Sequence, residues 1–324
     1  MRRAWRTFIV LVALSLGFTV ESAAAQEKIG LPANPVVISE VASTPLTAWY
    51  VQAEGIFLRR TVGSSAVLAT DPGGTTPLGT ARDFHFSHDG GPRFVIGKQL
   101  SDVNALEFVY FGLYDMQSSA SVAGPGMAVG SPIIGTNFNA DYHSSVNSFE
   151  ANLRHSMNGN LSVLAGFRYL NWHEDIDGQF NAGRTIPQPG PLVRSTLLTN
   201  NNLWGVQAGG EWQGSLRDLL GLTAFGKAGI FGNEAYARGT TSAGPVTTVV
   251  SNAGCQASFI GELGVVATRQ INDRLSLRGG YTMMWVEGIA LAPDQPARFA
   301  TNGSIHSNGG VFLHGVVFGA HLRW

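Results

Sequence analysis

The sequence predicts an all-β fold: a transmembrane antiparallel up-and-down β-barrel of about ten strands, with short periplasmic turns and long extracellular loops. Three observations predict it. The chain ends on an alternating strand with a terminal aromatic residue. Strand-like segments are separated by gaps that alternate between short and long. The first residues read as an export signal.

Residues 1–25 carry that signal. Arg2, Arg3 and Arg6 form a positive start, Phe8 to Phe18 an apolar core, and Ala23-Ala24-Ala25 a small-residue cleavage site. The apolar run is too short to span a bilayer as a helix, and no later stretch approaches eighteen apolar residues. Residues 26–48 contain Pro32, Pro35 and Pro45 and lack strand alternation, so they are expected to form a periplasmic lead-in to a barrel over 49–324. The expected location is the cell outer membrane.

The composition agrees. Of 21 Lys+Arg and 22 Asp+Glu, residues 1–25 hold three arginines and Glu21, so the remaining 299 residues keep 18 against 21, a net charge of −3. That balance gives no reason to expect nucleic acid or polyanion partners. Charged residues make up 13% of the chain, against about 25% in average soluble domains. Cys255 is the only cysteine, which excludes a disulfide-stapled scaffold.

Ten candidate strands follow: 49–59, 92–100, 104–115, 144–155, 161–172, 202–213, 220–232, 256–268, 275–288 and 310–324. The gaps 101–103, 156–160, 214–219 and 269–274 are short, whereas the others run from roughly twenty to over thirty residues and are rich in Gly, Pro, Ser, Thr and Asn. A soluble sandwich has no reason to sort loop lengths by end, whereas a membrane barrel does. The count becomes eight or twelve if 243–254 or 81–89 pairs as an additional hairpin.

Alternation within the strands assigns faces. In 161–172, Leu161, Val163, Ala165, Phe167 and Tyr169 share one face and Arg168 the other; in 144–155, Val146, Ser148, Glu150, Asn152 and Arg154 point inward; in 202–213, Gln207 and Glu211 do. Trp204 and Trp212, eight residues apart, are placed to mark the two aromatic girdles. In the last strand, Phe312, His314, Val316, Phe318, Ala320, Leu322 and Trp324 form the outer face. Those residues alone fit a half-buried strand of a soluble sandwich equally well, and the loop lengths decide for a barrel seam. The seam should pair Trp324 with the strand beginning near Trp49, with His321 and Arg323 beside Gln52 and Glu54 at the periplasmic mouth.

Several segments resemble the BBP7-type bacterial β-barrel porin family: Trp49-Tyr50-Val51-Gln52-Ala53-Glu54, Gly91-Pro92-Arg93-Phe94-Val95-Ile96-Gly97, Gly166-Phe167-Arg168-Tyr169-Leu170-Asn171, Lys227-Ala228-Gly229-Ile230-Phe231-Gly232-Asn233 and Leu277-Arg278-Gly279-Gly280-Tyr281. The resemblance implies an outer-membrane barrel and, through the family's name, a pore, without a defined solute.

The predicted lumen-lining residues are acidic Glu54, Glu107, Glu150, Glu211 and Glu262 and basic Arg93, Arg154, Arg168, Lys227 and Arg278. On the lipid face each would cost up to ~2–4 kcal/mol near the midplane, so the interior is where they belong. Paired, they fill a narrow lumen; unpaired, they line an aqueous path that passes small solutes or ions. Ten strands enclose little more room than the eight whose side chains fill the interior, which favours filling.

The expected function is a small pore or a structural, surface-displaying barrel, not an enzyme. The alternative is a surface hydrolase built from loop residues: Asp83, His85, Ser87, His88 and Asp89 in the first long loop, His173, Glu174, Asp175 and Asp177 in the third, and Asp294 and His306 in the fifth. None of these spacings is diagnostic. Gly-x-Ser-x-Gly, Gly-x-Gly-x-x-Gly and Cys-x-x-Cys are absent, and no catalytic residue, metal site or cofactor is assigned. The expected partners are outer-membrane lipid, including lipopolysaccharide, and the barrel-assembly machinery, the latter through the C-terminal strand ending in Trp324.

Overall fold

In the computed structural model, ten long antiparallel strands close into a ring, and three short strands lie in the connecting segments. The structure describes residues 48–71, 73, 75–123, 127–129, 133–182, 192–216, 220–296 and 304–324. The expected signal, 1–25, and all but the last residue of the expected lead-in, 26–48, lie outside the described residues.

The strands are β1 (Trp49–Arg60), β2 (Val67–Thr70), β3 (Pro77–Thr80), β4 (His88–Gln99), β5 (Asn104–Val122), β6 (Met127–Val129), β7 (Ile133–Asn158), β8 (Leu161–Ala182), β9 (Leu192–Leu216), β10 (Leu220–Ala243), β11 (Val246–Gln270), β12 (Leu275–Ile289) and β13 (Gly309–Arg323). The ring runs β1-β4-β5-β7-β8-β9-β10-β11-β12-β13, each strand pairing with its successor. It closes where β13 pairs with β1, from Tyr50 opposite Arg323 to Arg60 opposite Leu313. Trp49 and Trp324 exchange backbone hydrogen bonds of 3.1 and 3.0 Å at the periplasmic end of the seam. Closure leaves no unpaired edge, which is the condition for crossing a bilayer with strands.

The strands differ from expectation chiefly in length. β7 has 26 residues, and β9 and β11 have 25 each. Much of what reads as long loop is therefore wall continuing past the membrane. The connection expected over 233–255 is two strand extensions, paired until Ala243 meets Val246 around Gly244 at φ +60°. Residues 81–89 hold a short 3-10 turn, Ala81–Asp83, and the start of β4. Neither segment adds a hairpin to the barrel, and the count is ten. The Gly, Ser, Thr and Asn content reads as loop, but the period-two alternation survives through it and carries the ladder onward. β5 carries a bulge, where Tyr114 and Asp115 interrupt the register between Leu113 and Met116.

The outer face defines a membrane band. From Leu161 to Tyr169 on β8 and from Trp212 to Trp204 on β9, outward positions are apolar, aromatic or small. Nine residues per tilted strand matches the ~9–11 needed to cross. Trp212 and Trp204 are exposed at the two ends of that stretch, as girdle residues are. Within this band the outward His314 ring nitrogen meets the Tyr281 hydroxyl at 2.6 Å. Just above the band, Arg59, Glu234 and Glu287 take outward positions.

This band predicts a depth-dependent penalty. Ala208→Arg, at mid-band on β9, should destabilise the vesicle-folded protein by ~2–4 kcal/mol in urea unfolding, whereas Ala253→Arg, above the band on β11, should cost little. Equal costs at the two positions would remove the case for a lipid-facing band.

Candidate functional site

The inner face is ordered in layers, set by strand register. At the periplasmic end, Arg93 of β4 pairs with Glu54 of β1, its partner across the strand pair. Arg278 Nε of β12 approaches the other oxygen of Glu54 at 3.1 Å. Arg154 of β7 bridges Glu107 of β5 at 3.1 Å and Glu211 of β9 at 2.8 Å. The arginine side chains here keep some contact with solvent, 22% for Arg154 and 17% for Arg278, so this layer opens to the periplasm.

The next layer is dry. Lys227 of β10 lies 3.0 Å from Glu150 and 3.1 Å from Glu262, and Arg168 of β8 lies 3.4 and 3.1 Å from the same two carboxylates. Two cations and two anions thus close a four-membered ring whose side chains are all under 10% exposed. Remaining lone pairs are met as well. Glu150 accepts from Asn152 and Gln207 at 2.9 and 2.8 Å, and Arg168 donates to Ser148 Oγ at 2.9 Å. Small residues make room for the long ones: a Cβ on Gly209 would sit 2.8 Å from Lys227 Cγ and 2.5 Å from the Gly226 carbonyl.

All ten residues singled out in the sequence lie on this inner face, and each joins at least one ion pair. Five positive and five negative groups leave no charge unmatched. Taking an unpaired ion out of water costs several kcal/mol, so mutual pairing is what makes such an interior tolerable.

Above the ionic layers the interior turns apolar, with Ile56, Phe111, Leu113, Leu170, Leu203, Phe231, Val286 and Leu313 all buried. Over this lies a second polar centre that the sequence reading missed. Glu174 of β8 and Arg60 of β1, both with 0% exposed side chains, pair at 2.8 Å. The Glu174 carboxylate also accepts from Trp172 Nε1 at 3.0 Å, the Tyr142 hydroxyl at 2.6 Å and the backbone N–H of Ala292 at 2.8 Å. The Arg60 guanidinium lies over the rings of Phe86, Tyr142 and Trp172. Both residues fall just past the expected strand ends, yet they keep the inward parity of Glu54 and Arg168. Extending the alternation by two residues would have found them.

The Ala292 contact belongs to a plug. Gly288, at φ +82°, a conformation that suits glycine, bulges the ladder between Glu287 and Ile289, and the chain leaves it after Ile289, the last residue paired with β13. Residues 289–292 are fully buried inside the barrel mouth. The backbone groups of Ala290 and Ala292 are held by wall side chains in place of a strand. Asn201 clasps Ala290 with two hydrogen bonds of 2.9 and 2.7 Å, while Asn233 Nδ2 and Ser258 Oγ donate to the Gly288 carbonyl at 3.0 and 2.6 Å. The first long connection packs beside it through Phe84 and Phe86, each edge-on to Tyr142.

The loop residues of the hydrolase alternative do not converge. Asp83 caps its own turn by accepting from Thr80 N–H, His85 and His88 are exposed, and Asp89 accepts from Asp115 N–H at 3.3 Å. His173, Asp175 and Asp177 face outward on β8 while Glu174 faces in. Asp294 and His306 do approach, at 3.7 Å, but the Ser64 hydroxyl donates to Asp294 at 2.5 Å and not to the histidine. Burial pushes the Asp294 carboxyl above its ordinary range, and the nearby Glu174 charge adds to this; the Ser64 bond and His306 oppose it. Among the described residues no group of three or more His, Cys, Asp or Glu is arranged to hold a metal.

A closed antiparallel ring with an apolar outer belt and internally paired charges defines an outer-membrane β-barrel protein. No family model and no curated protein matches the chain. Among solved structures, the outer-membrane protease OmpT from Escherichia coli aligns at 9% identity and TM-score 0.47, covering 88% of this chain and 99% of that one. The translocator domain of the autotransporter NalP from Neisseria meningitidis aligns at 9% identity and TM-score 0.40, over 87% and 90%. The attachment invasion locus protein Ail of Yersinia pestis aligns at 9% identity and TM-score 0.27, over 86% and 99%.

The Glu174 centre yields a direct prediction. Glu174→Gln removes the charge partner of a buried guanidinium while keeping shape, and should destabilise the barrel by about 3–5 kcal/mol. Arg60→Met combined with Glu174→Gln should recover part of that loss. Urea unfolding of vesicle-folded protein reads both, and an undiminished barrel in the single variant would show that the pair is not load-sharing.

Proposed function

We propose that this chain is a structural, surface-displaying outer-membrane barrel with a filled interior, and that it does not conduct in this state. The observation that carries the reading is the plug at the barrel mouth: Ile289, Ala290, Leu291 and Ala292, with the Arg60–Glu174 pair beside them, have no exposed surface. Beneath it, the charges that would line an aqueous path are engaged with one another. Ion selectivity needs charged groups free to interact with a passing ion, and among the described residues the buried wall charges on the extracellular side of the Lys227 layer, Arg60 and Glu174, are paired with each other.

The walls that rise past the membrane on β7 to β11 supply the displayed surface. The chain's resemblance to BBP7-type porins supports the barrel and its strand motifs, and the pore implied by that name is the competing reading. A catalytic role is not proposed, because Ser64 donates to Asp294 and leaves the Asp294–His306 contact long. Trp324, at the periplasmic end of the seam, is offered as the end recognised by the assembly machinery.

Planar-bilayer recording discriminates the two readings. Folded protein should give no stepwise currents, and a variant lacking 289–296 should remain low in conductance because the ionic layers persist. Stable unitary currents from the intact protein would overturn the filled-interior reading in favour of a pore.

A further inference from the structure

The upper rim of the apolar band is chemically uneven. Across β10 to β13 it carries Ile230, Phe259, Trp285 and Phe312. Across β5, β7, β8 and β9 it is an arc of rings topped by amides. The rings of Tyr110, Phe149, Tyr169 and Trp204 follow one another at centroid distances of 4.7, 6.5 and 4.0 Å. One step higher, in register, stand Asn147, Asn171 and Asn202, with Asn200 next to them on β9.

These amides are oriented by internal bonds. Asn147 Oδ1 accepts from the Tyr110 hydroxyl at 3.1 Å, and Asn202 Oδ1 accepts from the Tyr169 hydroxyl at 2.8 Å. Asn171 Nδ2 donates to Asn200 Oδ1 at 2.7 Å and to Asn202 Oδ1 at 3.0 Å. Asn202 Oδ1 thereby accepts two bonds, and the carbonyl oxygens of Asn147 and Asn200 accept one each. Their three Nδ2 groups, with Asn171 Oδ1, are left to a ligand as uncharged donors and one acceptor. All four residues are only half-buried.

We propose that this arc binds the saccharide headgroup of an outer-leaflet glycolipid. Its height fixes the surroundings: Phe167 and Val206, exposed on the outer face one step below Tyr169 and Trp204, sit in the acyl-chain zone, so what meets the amides is a lipid headgroup. Its chemistry selects among headgroups. Aromatic faces receive the C–H face of a sugar ring, and fixed neutral amides match hydroxyl and ring oxygens. The arc holds no lysine or arginine, so a bare phosphate has no matching cation there. The acyl chains then lie against the apolar wall beneath, which is why the ligand is a membrane lipid and not a soluble sugar. The inference is independent of whether the lumen conducts.

Native mass spectrometry of the purified full-length barrel tests it, titrated with a neutral disaccharide-headed glycolipid (digalactosyl diacylglycerol), with phosphatidylglycerol, and with the deacylated oligosaccharide. The glycolipid should bind in preference to phosphatidylglycerol. Asn171→Ala combined with Asn202→Ala should weaken glycolipid binding by roughly tenfold and leave phosphatidylglycerol unchanged, the scale expected for losing a few neutral hydrogen bonds. Asn202→Ser, which keeps a small polar group in the ladder, covers the case in which the double variant does not fold, and should lose severalfold. Met283→Ala, on the opposite wall, should bind as the parent does. Unchanged glycolipid binding in the amide variants, or equal binding of phosphatidylglycerol by the parent, would overturn the assignment. Displacement of the glycolipid by an equal concentration of free oligosaccharide would overturn its assignment to a membrane lipid.

Discussion

The structure depends on one electrostatic constraint: a charge on the inside of a narrow barrel must find its counter-charge there. Ten strands leave too little room for bulk water around each group, and desolvation of a lone ion costs several kcal/mol. The interior meets this with two stacked networks. One reaches solvent at the periplasmic mouth, and the other, Lys227 and Arg168 with Glu150 and Glu262, is sealed. The ten charged side chains come from nine strands of the ring, so the pairs tie together strands far apart in sequence, as Arg168 does with Glu262 across 94 residues. Correct register on every strand is needed for the charges to meet, and a slip of one residue would turn them toward lipid. The ionic core therefore specifies the barrel as much as it stabilises it.

The plug follows from the same constraint in its uncharged form. A segment without strand partners, buried in the barrel mouth, needs every backbone polar group answered. Asn201 supplies a donor and an acceptor to Ala290, as a neighbouring strand would, and Glu174 takes the Ala292 N–H while already holding Arg60. The departure from β12 is made possible by Gly288, whose left-handed φ bulges the ladder just before the chain leaves it. The plug, the upper ion pair and the aromatic box of Tyr142, Trp172 and Phe86 form one cooperative cap over the apolar layer.

The barrel was legible in the sequence because period-two alternation and the sorting of loop lengths both survive without tertiary information. The strands beginning at Trp49 and ending at Trp324, the seam between them, and the inward parity of Glu150, Arg154, Gln207 and Glu211 all follow from those two patterns. Strand length was not legible. Beyond the membrane an outward residue faces water, so Asp175, Glu234 and Arg238 replace the apolar half of the alternation, and the signal reads as loop although the ladder continues. The Arg60–Glu174 centre was hidden for that reason, and the plug because its partners, Glu174 and Asn201, lie 118 and 89 residues away. Which inward charges pair is a property of ring closure and cannot be read from one strand at a time.

A solid, mutually paired core makes its strongest demand on Lys227 and Glu262, neighbours across β10 and β11 in the sealed layer. A double-mutant cycle of Lys227→Met and Glu262→Gln, read by reversible urea unfolding in vesicles, tests it most directly. Each single change should cost about 3–5 kcal/mol, because it leaves the opposite charge uncompensated. The double variant should cost less than the sum, with a coupling on the order of 0.5–3 kcal/mol. Two near-neutral single variants whose effects simply add would mean that water reaches these groups, and would contradict a filled interior.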